Sequence, residues 1–390
     1  MTMSAHAGVE PRLPCVTNDL YDRRCIFDYN DDGFMNFLGR FFTDALAVDL
    51  GSVNTLIYAP DRGIILNEPS VVAVNKYTKE LLSVGKQAYK LLGREPHDTE
   101  ILHPIRNGTV DNFEAAQKML AAFIAKVHNG QKRRSRLVIG VPGSATTLEQ
   151  RSVRDAARDA GATRVELVDE GLAAALGAGL NFNDERAHFV VDIGGGTTSF
   201  TIVSAAVVVA SSSIRVAGTR MDEAICDFLR SRHEMQLGAR MAEQVKKELG
   251  TAGCSAAGEG EKDIQRMEIV GKRLANGMAK AVELRSDELC EALNPVLAEI
   301  IAGVRRAIEE SPPDVTADIY HNGILLTGGG SLLNGMAERV KRDLRLHVSV
   351  TEDPLTAVAL GAGQLLMNQE HLRRAAIRQD MPVWQSAEEL

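Results

Sequence analysis

At 390 residues, 45% apolar and 25% charged, the chain has a globular composition and is too long for one ordinary hydrophobic core, so two domains or one bilobed fold are expected. A net charge of −8 argues against bulk nucleic-acid binding, which needs a basic face. Cys15, Cys25, Cys226, Cys254 and Cys290 lie scattered without metal-ligand spacing, which points away from a disulfide framework or zinc site and towards a reducing cytosol. No apolar run reaches the roughly 20 residues that span a bilayer, and the N-terminus shows no signal-peptide apolar core, so a protein that stays inside the cell is expected.

Residues 1–33 are polar and aperiodic and read as a disordered extension. In segment 34–44, Phe34, Phe37, Leu38, Phe41 and Phe42 recur at helical spacing, opposite Asn36, Gly39, Arg40 and Thr43. That is a short amphipathic stripe, which either packs on the core or lies on a membrane. From Ala45 onwards, short β-branched runs alternate with longer helical stretches, the signature of an α/β fold. The spacing predicts strands at Leu46–Leu50, Thr55–Tyr58, Leu137–Val141, Val165–Val168, Phe189–Ile193, Ser199–Val203 and Ile324–Thr327. It predicts helices at Asn112–His128, Thr147–Ala160, Ala173–Ala178, Met221–Arg232 and Ala239–Leu249. Thr251–Glu261, rich in Gly, Ala and Ser, is expected to be a surface loop, and 367–390 a flexible tail.

One internal repeat organises the chain. Ala-Val-Asp49-Leu-Gly51-Ser52-Val53-Asn54-Thr55 and Val-Val-Asp192-Ile-Gly194-Gly195-Gly196-Thr197-Thr198 each end an apolar strand in Asp. Each places Gly two residues later and Thr six residues later, and each then returns as a second strand. The copies lie 143 residues apart, as two related half-molecules would place them, with expected boundaries of 45–188 and 189–366. A Gly-rich hairpin tip admits a phosphate to backbone N–H groups, and neighbouring hydroxyls add donors. Two facing tips would clamp the β- and γ-phosphates of a nucleotide, while Asp49 and Asp192 at the strand ends would hold Mg²⁺ through its waters. A single tip is more often simply a tight turn; the matched pair reverses that reading.

A third cluster, Thr327-Gly328-Gly329-Gly330-Ser331, joins an apolar strand to an apparent helix, whose N-terminus would suit a nucleotide as well as an ordinary turn. No GxxxxGK[ST] occurs, which excludes the P-loop NTPases. Asp169-Glu170, ahead of an Ala-rich stretch, reads on its own as a helix N-cap.

The three glycine motifs, in this order, resemble the phosphate-1, phosphate-2 and adenosine motifs of the actin, hexokinase and heat-shock ATPase superfamily. Leu66-Asn67-Glu68-Pro69-Ser70-Val71-Val72-Ala73, Ile139-Gly140-Val141-Pro142, Ser213-Ile214-Arg215-Val216, Met221-Asp222-Glu223-Ala224-Ile225 and Glu352-Asp353-Pro354-Leu355 are similar to the MreB family in particular. The agreement runs from about Met35 to about Leu366.

The resemblance implies an α/β, two-lobed actin-like ATPase fold with a nucleotide cleft between duplicated halves, binding ATP and Mg²⁺. It implies that Ser52, Val53 and Asn54 line the first phosphate loop and Gly194, Gly195 and Gly196 the second, with Asp49 and Asp192 at the metal. By the same resemblance Glu243, Gln244 and Lys246 lie beside the adenine and ribose, and Gly328, Gly329 and Gly330 cover the adenosine. Glu170 matches the acid that positions the attacking water. Ser52 stands where the family has Thr, Ser199-Phe200 where it has Glu-Val, and Ala217-Gly218-Thr219 where it has Gly-Gly-Asp. Gly171 replaces a proline, which loosens the backbone that aims Glu170 and implies slow hydrolysis.

Filament formation by the chain with itself, as paired protofilaments, is further implied, with the helix over Thr147–Ala160 at the pairing surface. Arg151, Arg154 and Arg158 on that helix otherwise read as a solvated face. Met35–Asp44 resembles a family N-terminus that lies on the membrane, so residues before it read as an extension. The basic turn Gln131–Arg136 reads as a solvated turn or as a patch for anionic lipid. The implied role is a cytoskeletal one, at the inner face of the cell membrane with cell-wall elongation membrane proteins, maintaining rod cell shape. The alternatives are a plasmid-segregation or organelle-positioning actin, a heat-shock chaperone and a small-molecule kinase of the same superfamily.

Overall fold

The computed structural model of the chain describes residues 43–131, 134–181, 183–253 and 264–377. The first half opens with β1 (Thr43–Leu50), β2 (Asn54–Ala59) and β3 (Gly63–Pro69). A small antiparallel sheet follows, from β4 (Val72–Asn75), β5 (Leu81–Val84) and β6 (Thr99–Leu102), with helix α1 (Lys86–Leu91) inserted. A short hairpin, β7 (Ile105–Arg106) and β8 (Thr109–Val110), leads to α2 (Phe113–Val127), β9 (Arg134–Val141), α3 (Thr147–Asp159), β10 (Ala162–Asp169) and α4 (Glu170–Gly177).

The second half repeats the opening with β11 (His188–Ile193), β12 (Thr198–Ser204) and β13 (Val207–Ile214), then α5 (Gly218–His233). A three-stranded sheet of β14 (Met235–Gln236), β15 (Arg266–Arg273) and β16 (Ala279–Arg285) carries α6 (Ala239–Leu249) between its first two strands. The chain continues through α7 (Ser286–Glu309), α8 (Pro313–Asn322), β17 (Ile324–Thr327), α9 (Met336–Leu344) and β18 (Val348–Val350). It closes with α10 (Ala357–Met367) and α11 (Gln369–Ala375).

The repeat seen in the sequence is a repeat of topology. One five-stranded sheet runs β10-β9-β1-β2-β3 and the other β13-β12-β11-β17-β18. In each, a central strand (β1 or β11) pairs antiparallel with the strand after its tip and parallel with a strand from later in its half. The registers match, with Asp49 opposite Leu56 and Asp192 opposite Ser199. Both central strands are buried on both faces, which is why each reads as a continuous apolar run. Leu46, Val48 and Leu50 face one core and Ala47 another, just as Phe189, Val191 and Ile193 face one core and Val190 another.

Among the described residues, three large cores result, each a contiguous set of apolar contacts, beside a small cluster of Val71, Ala73 and Ala88 under α1. The first sheet packs its outer face on α2 and α3, through Met119, Leu120, Phe123, Val153 and Ala157. The second sheet packs its outer face on α5 to α9, through Ile225, Leu229, Val245, Leu297, Ile300 and Val340. Between the two sheets, α4 and α10 contribute Leu172, Ala173, Val358, Ala362 and Leu365 to a shared core with Ala47, Val138, Val190 and Val203. These two helices cross so closely that a Cβ on Gly361 would strike the Ala173 carbonyl, so the small residues there set the spacing of the sheets.

The amphipathic stripe Phe34–Phe42 lies outside the described residues, and Thr43 and Asp44 belong to β1. Three expectations change. Thr251 and Ala252, expected in a surface loop, are buried, and the Ala252 N–H donates to the Asn334 carbonyl at 2.7 Å. The described part of the polar tail is ordered: Asn368 caps α11, whose Leu372 and Ala375 are buried, and Ala376 bridges Val168 beside β10. The Ile377 N–H donates to the Leu167 carbonyl at 2.8 Å. Among the cysteines, Cys226 is free, whereas buried Cys290 is disulfide-bonded, against the expectation from spacing.

Candidate functional site

The two hairpin tips meet. A Cβ on Gly195 would overlap the Val53 side chain, and one on Gly196 would come within 2.7 Å of the Ser52 hydroxyl and 2.9 Å of the Asn107 backbone nitrogen. Only glycine allows this approach, because any larger residue would wedge the tips apart. The first tip is braced by hydroxyls. Ser52 Oγ accepts from the Gly108 N–H at 2.9 Å, Ser70 Oγ donates to the Gly51 carbonyl at 2.6 Å, and Thr55 and Ser70 hydroxyls lie 2.9 Å apart. The second tip is braced by backbone. The Gly218 and Thr219 N–H groups at the start of α5 donate to the Gly194 and Gly195 carbonyls at 3.1 and 2.8 Å.

Beneath the tips lie four carboxyl groups. Burial, with the charge of Asp192 second, pushes Asp49 up to about 7. Burial and the charge of Asp169 push Asp192 up to about 6. Glu170 is raised well above the ordinary carboxylate range by burial and by Asp49, Asp192 and Asp169, in that order. Asp169 is raised by burial and held back by its hydrogen-bond donors. No basic group offsets these charges among the causes, so the cluster is suited to a cation. Among the described residues, no three carboxylate, histidine or cysteine side chains converge to hold a metal by direct ligation.

Asp169 is the N-cap of α4, accepting from the Leu172 N–H at 3.0 Å, and Glu170 is the first residue of that helix. The cap reading of this pair holds for Asp169, while Glu170 makes no cap bond and its carboxyl lies among Asp49, Asp192 and Asp169. The stem of Glu170 runs over Gly140 of β9, where a Cβ would lie 3.2 Å from Glu170 Cγ and 3.1 Å from Val358.

The expected adenine-side residues separate. Lys246 reaches the second tip: its Nζ donates to the Gly218 carbonyl at 2.9 Å and pairs with Asp222 at 2.8 Å. Glu243 accepts a 2.8 Å hydrogen bond from Tyr89 of α1, a contact from the first half to the second, and also pairs with Lys247 at 2.6 Å. Burial and Glu243 push the Tyr89 phenol up to about 12. Gln244 is exposed and bonds Glu248 along its own helix, so it does not join the others. Gly328 and Gly330 pack against Asp192 and Ile193 beneath the second tip, and Gly329–Leu332 is a 3₁₀ turn rather than the start of an α-helix.

Elsewhere, Arg154 is buried and donates to the Ile377 carbonyl at 3.0 Å, so it is not part of a solvated face, whereas Arg151 and Arg158 are exposed and pair with Asp155. Of the basic turn, Lys132 and Arg133 lie outside the described residues, and Arg136 pairs with Glu166 at 3.0 Å. Motif reading assigned no role to Ser70, Tyr89, Gly108, Thr201 or Ser211, all of which act through contacts distant in sequence.

Two sheets of one topology, with matched tips closing on a carboxylate cluster, define an actin-like fold. The MreB/Mbl protein profile matches residues 43–374, and the chain belongs to that family. Cell shape-determining protein MreB of Escherichia coli (strain K12) is 40% identical over 336 residues, covering 85% of this chain and 95% of that protein. The crystal structure of MreB5 of Spiroplasma citri bound to AMPPNP superposes with a TM-score of 0.77 at 30% identity, covering 84% of this chain and 97% of that one. The same protein bound to ADP gives a TM-score of 0.78 at 30% identity, covering 85% and 98%. The MamK double helical filament shares the fold alone, at a TM-score of 0.70 and 23% identity, covering 84% and 99%.

Proposed function

We propose that this protein is an ATP-binding cytoskeletal actin that assembles with itself into filaments and maintains rod cell shape. The observation that carries the reading is the meeting of the Ser52–Asn54 and Gly194–Gly196 tips above Asp49, Asp192 and Glu170. Backbone N–H groups of the tips would hold the β- and γ-phosphates from both sides. Asp49 and Asp192 would hold Mg²⁺ through water, and that ion would supply charge neutralisation for the phosphates. Glu170 would orient the attacking water, and its raised pKa suits a group that shares a proton with that water. Lys246, tied to the second tip, and Glu243 would line the nucleoside side of the cleft. Hydrolysis would then accompany filament turnover.

The family relationship, with nucleotide-bound MreB5 among its structural neighbours, supports this reading over that of a small-molecule kinase. No helix among the described residues is long and apolar enough to cross a membrane. The apolar spacing of the Phe34–Phe42 stripe supports its proposed attachment to the inner face of the cell membrane, where cell-wall elongation proteins would be partners. Burial of about four large apolar side chains at ~1.5–3 kcal/mol each is enough for reversible binding.

The test is assembly: purified protein with Mg²⁺ and ATP, viewed by electron microscopy and pelleted, with and without liposomes. Filaments that need nucleotide, and liposome co-sedimentation lost in a Phe37→Asp, Phe41→Asp variant, are expected. Soluble monomers under every nucleotide condition would overturn the cytoskeletal reading. Equal liposome binding by variant and parent would overturn the membrane assignment alone.

A further inference from the structure

We infer that Thr201 and Ser211, acting through Asp169, are positioning residues that aim Glu170; the inference rests on the reading of Glu170 as the water-orienting acid. Glu170 stands at the first position of α4, so its direction follows the backbone that enters the helix. The next position is Gly171, whose backbone no ring or side chain of its own stiffens. The space above Gly171 is occupied: a Cβ would overlap the Thr201 hydroxyl, and Thr201 is 1% exposed.

Thr201 uses that position to reach the cap. Its Oγ1 donates to Asp169 Oδ1 at 3.4 Å, and Ser211 Oγ donates to Asp169 Oδ2 at 3.2 Å. The two hydroxyls lie 3.2 Å from each other, because Thr201 and Ser211 are directly opposite in the β12–β13 ladder. The Leu172 N–H adds a third bond to the same carboxylate, at 3.0 Å. A carboxyl group with three donors on its two oxygens cannot rotate without losing some of them, so the first turn of α4 is held in place. From the other side, the turn after β9 closes on the network, where a Cβ on Gly143 would overlap both Ser211 and Asp169.

The donors and the capped helix come from different sheets. Asp169 ends β10 of the first sheet, and Thr201 and Ser211 belong to the second. Hydroxyls of one half thus hold the acid of the other, and Glu170 is aimed only while the two sheets keep this relation. Glycine at 171 leaves room for Thr201, whose bond to Asp169 restrains a turn that a lone glycine would leave loose.

The experiment measures phosphate release by the full-length protein with Mg²⁺ and ATP, alongside nucleotide affinity, for the parent, Glu170→Ala, Thr201→Val, Thr201→Ser and Ser211→Ala. Thr201→Val keeps the shape and removes the donor, and it should lower the turnover rate by about tenfold with nucleotide affinity within about twofold of the parent. Thr201→Ser should recover most of that loss. A merely structural role would lower the melting temperature and the affinity together and would leave the rate of the bound complex unchanged. If Thr201→Val fails to fold, Ser211→Ala takes its place with the same expected split. A slow Glu170→Ala beside a Thr201→Val as fast as the parent would overturn the positioning role and leave the acid in place. A Glu170→Ala as fast as the parent, or a parent without turnover, would overturn the reading of Glu170 itself.

Discussion

The two hairpin tips share register, flanking strands and an aspartate at the same place, yet they are held in opposite ways. The first is pinned by side-chain oxygens, with buried Ser70 bonding both Gly51 and Thr55 and with Ser52 accepting from Gly108. The second has no side chains at its glycines and takes its support from the N-terminus of α5. A tip made of backbone can come close to a partner, and a tip made of hydroxyls can be rigid and still supply donors. The duplicated clamp therefore divides its labour, with one rigid jaw and one slender jaw.

The sharpest way to break this asymmetry is to thicken the slender jaw. Gly195→Val places a side chain where Val53 already lies, and it should reduce Mg²⁺-dependent ATP affinity by at least about 100-fold, or ~2.7 kcal/mol, with the fold retained. Isothermal calorimetry with a circular dichroism control checks it, and unchanged affinity would remove the clamp. Loosening the rigid jaw should cost less. Ser70→Ala leaves the fully buried Thr55 hydroxyl and the partly buried Gly51 carbonyl short of a partner, a loss of about 1–3 kcal/mol in stability by chemical denaturation.

Acidity tests what lies between the jaws. Asp49 and Asp192 titrate at about 7 and about 6 against ordinary values of 3.8, so their ionisation costs the folded state. Stability from this source is fully present below pH 3.8 and is lost as pH rises through about 6 and then about 7. The melting temperature of nucleotide-free protein should therefore carry a component that falls over this range, flattened by Asp49→Asn and offset by added Mg²⁺. The smallest effect belongs to the contact outside the jaws. Tyr89→Phe removes one hydrogen bond to Glu243 and should lower stability by about 1 kcal/mol or less, read by thermal unfolding.

The strands that carry the tips were legible because both central strands are buried on two faces and end in the same Asp-x-Gly pattern. Helices α2, α3 and α6 were legible from apolar spacing and caps such as the Thr146–Glu149 box. The longest helix, α7, was not, although Leu289, Leu293, Leu297, Ile300 and Val304 hold its period, because Pro295 sits in its interior and reads as a stop. Strands β15 and β16 bury only Ile269 and Leu284 and so show little alternation. In the site, Asp49, Asp192 and both tips stood out from local pattern, whereas Glu170 was singled out only by the family resemblance, since its own surroundings read as a helix cap. Gln244 shares the motif of Glu243 and Lys246 but not their face of the helix, and it bonds Glu248 instead. Thr201, Ser211 and Tyr89 were invisible because their partners lie 32, 42 and 154 residues away.

The bridge between Ala376 and Val168 has a consequence for solubility. Strand β10 is the rim of its sheet, and a bare rim presents a row of unsatisfied amides to any other strand. Ile377 and Ala376 occupy its far end, and the Arg154 guanidinium fastens them there. The last described residues thus act as a hem. A chain cut before Asn368 would lose Leu372 and Ala375 from the core between the sheets, and the end of its rim would be open to strand-by-strand stacking with its neighbours.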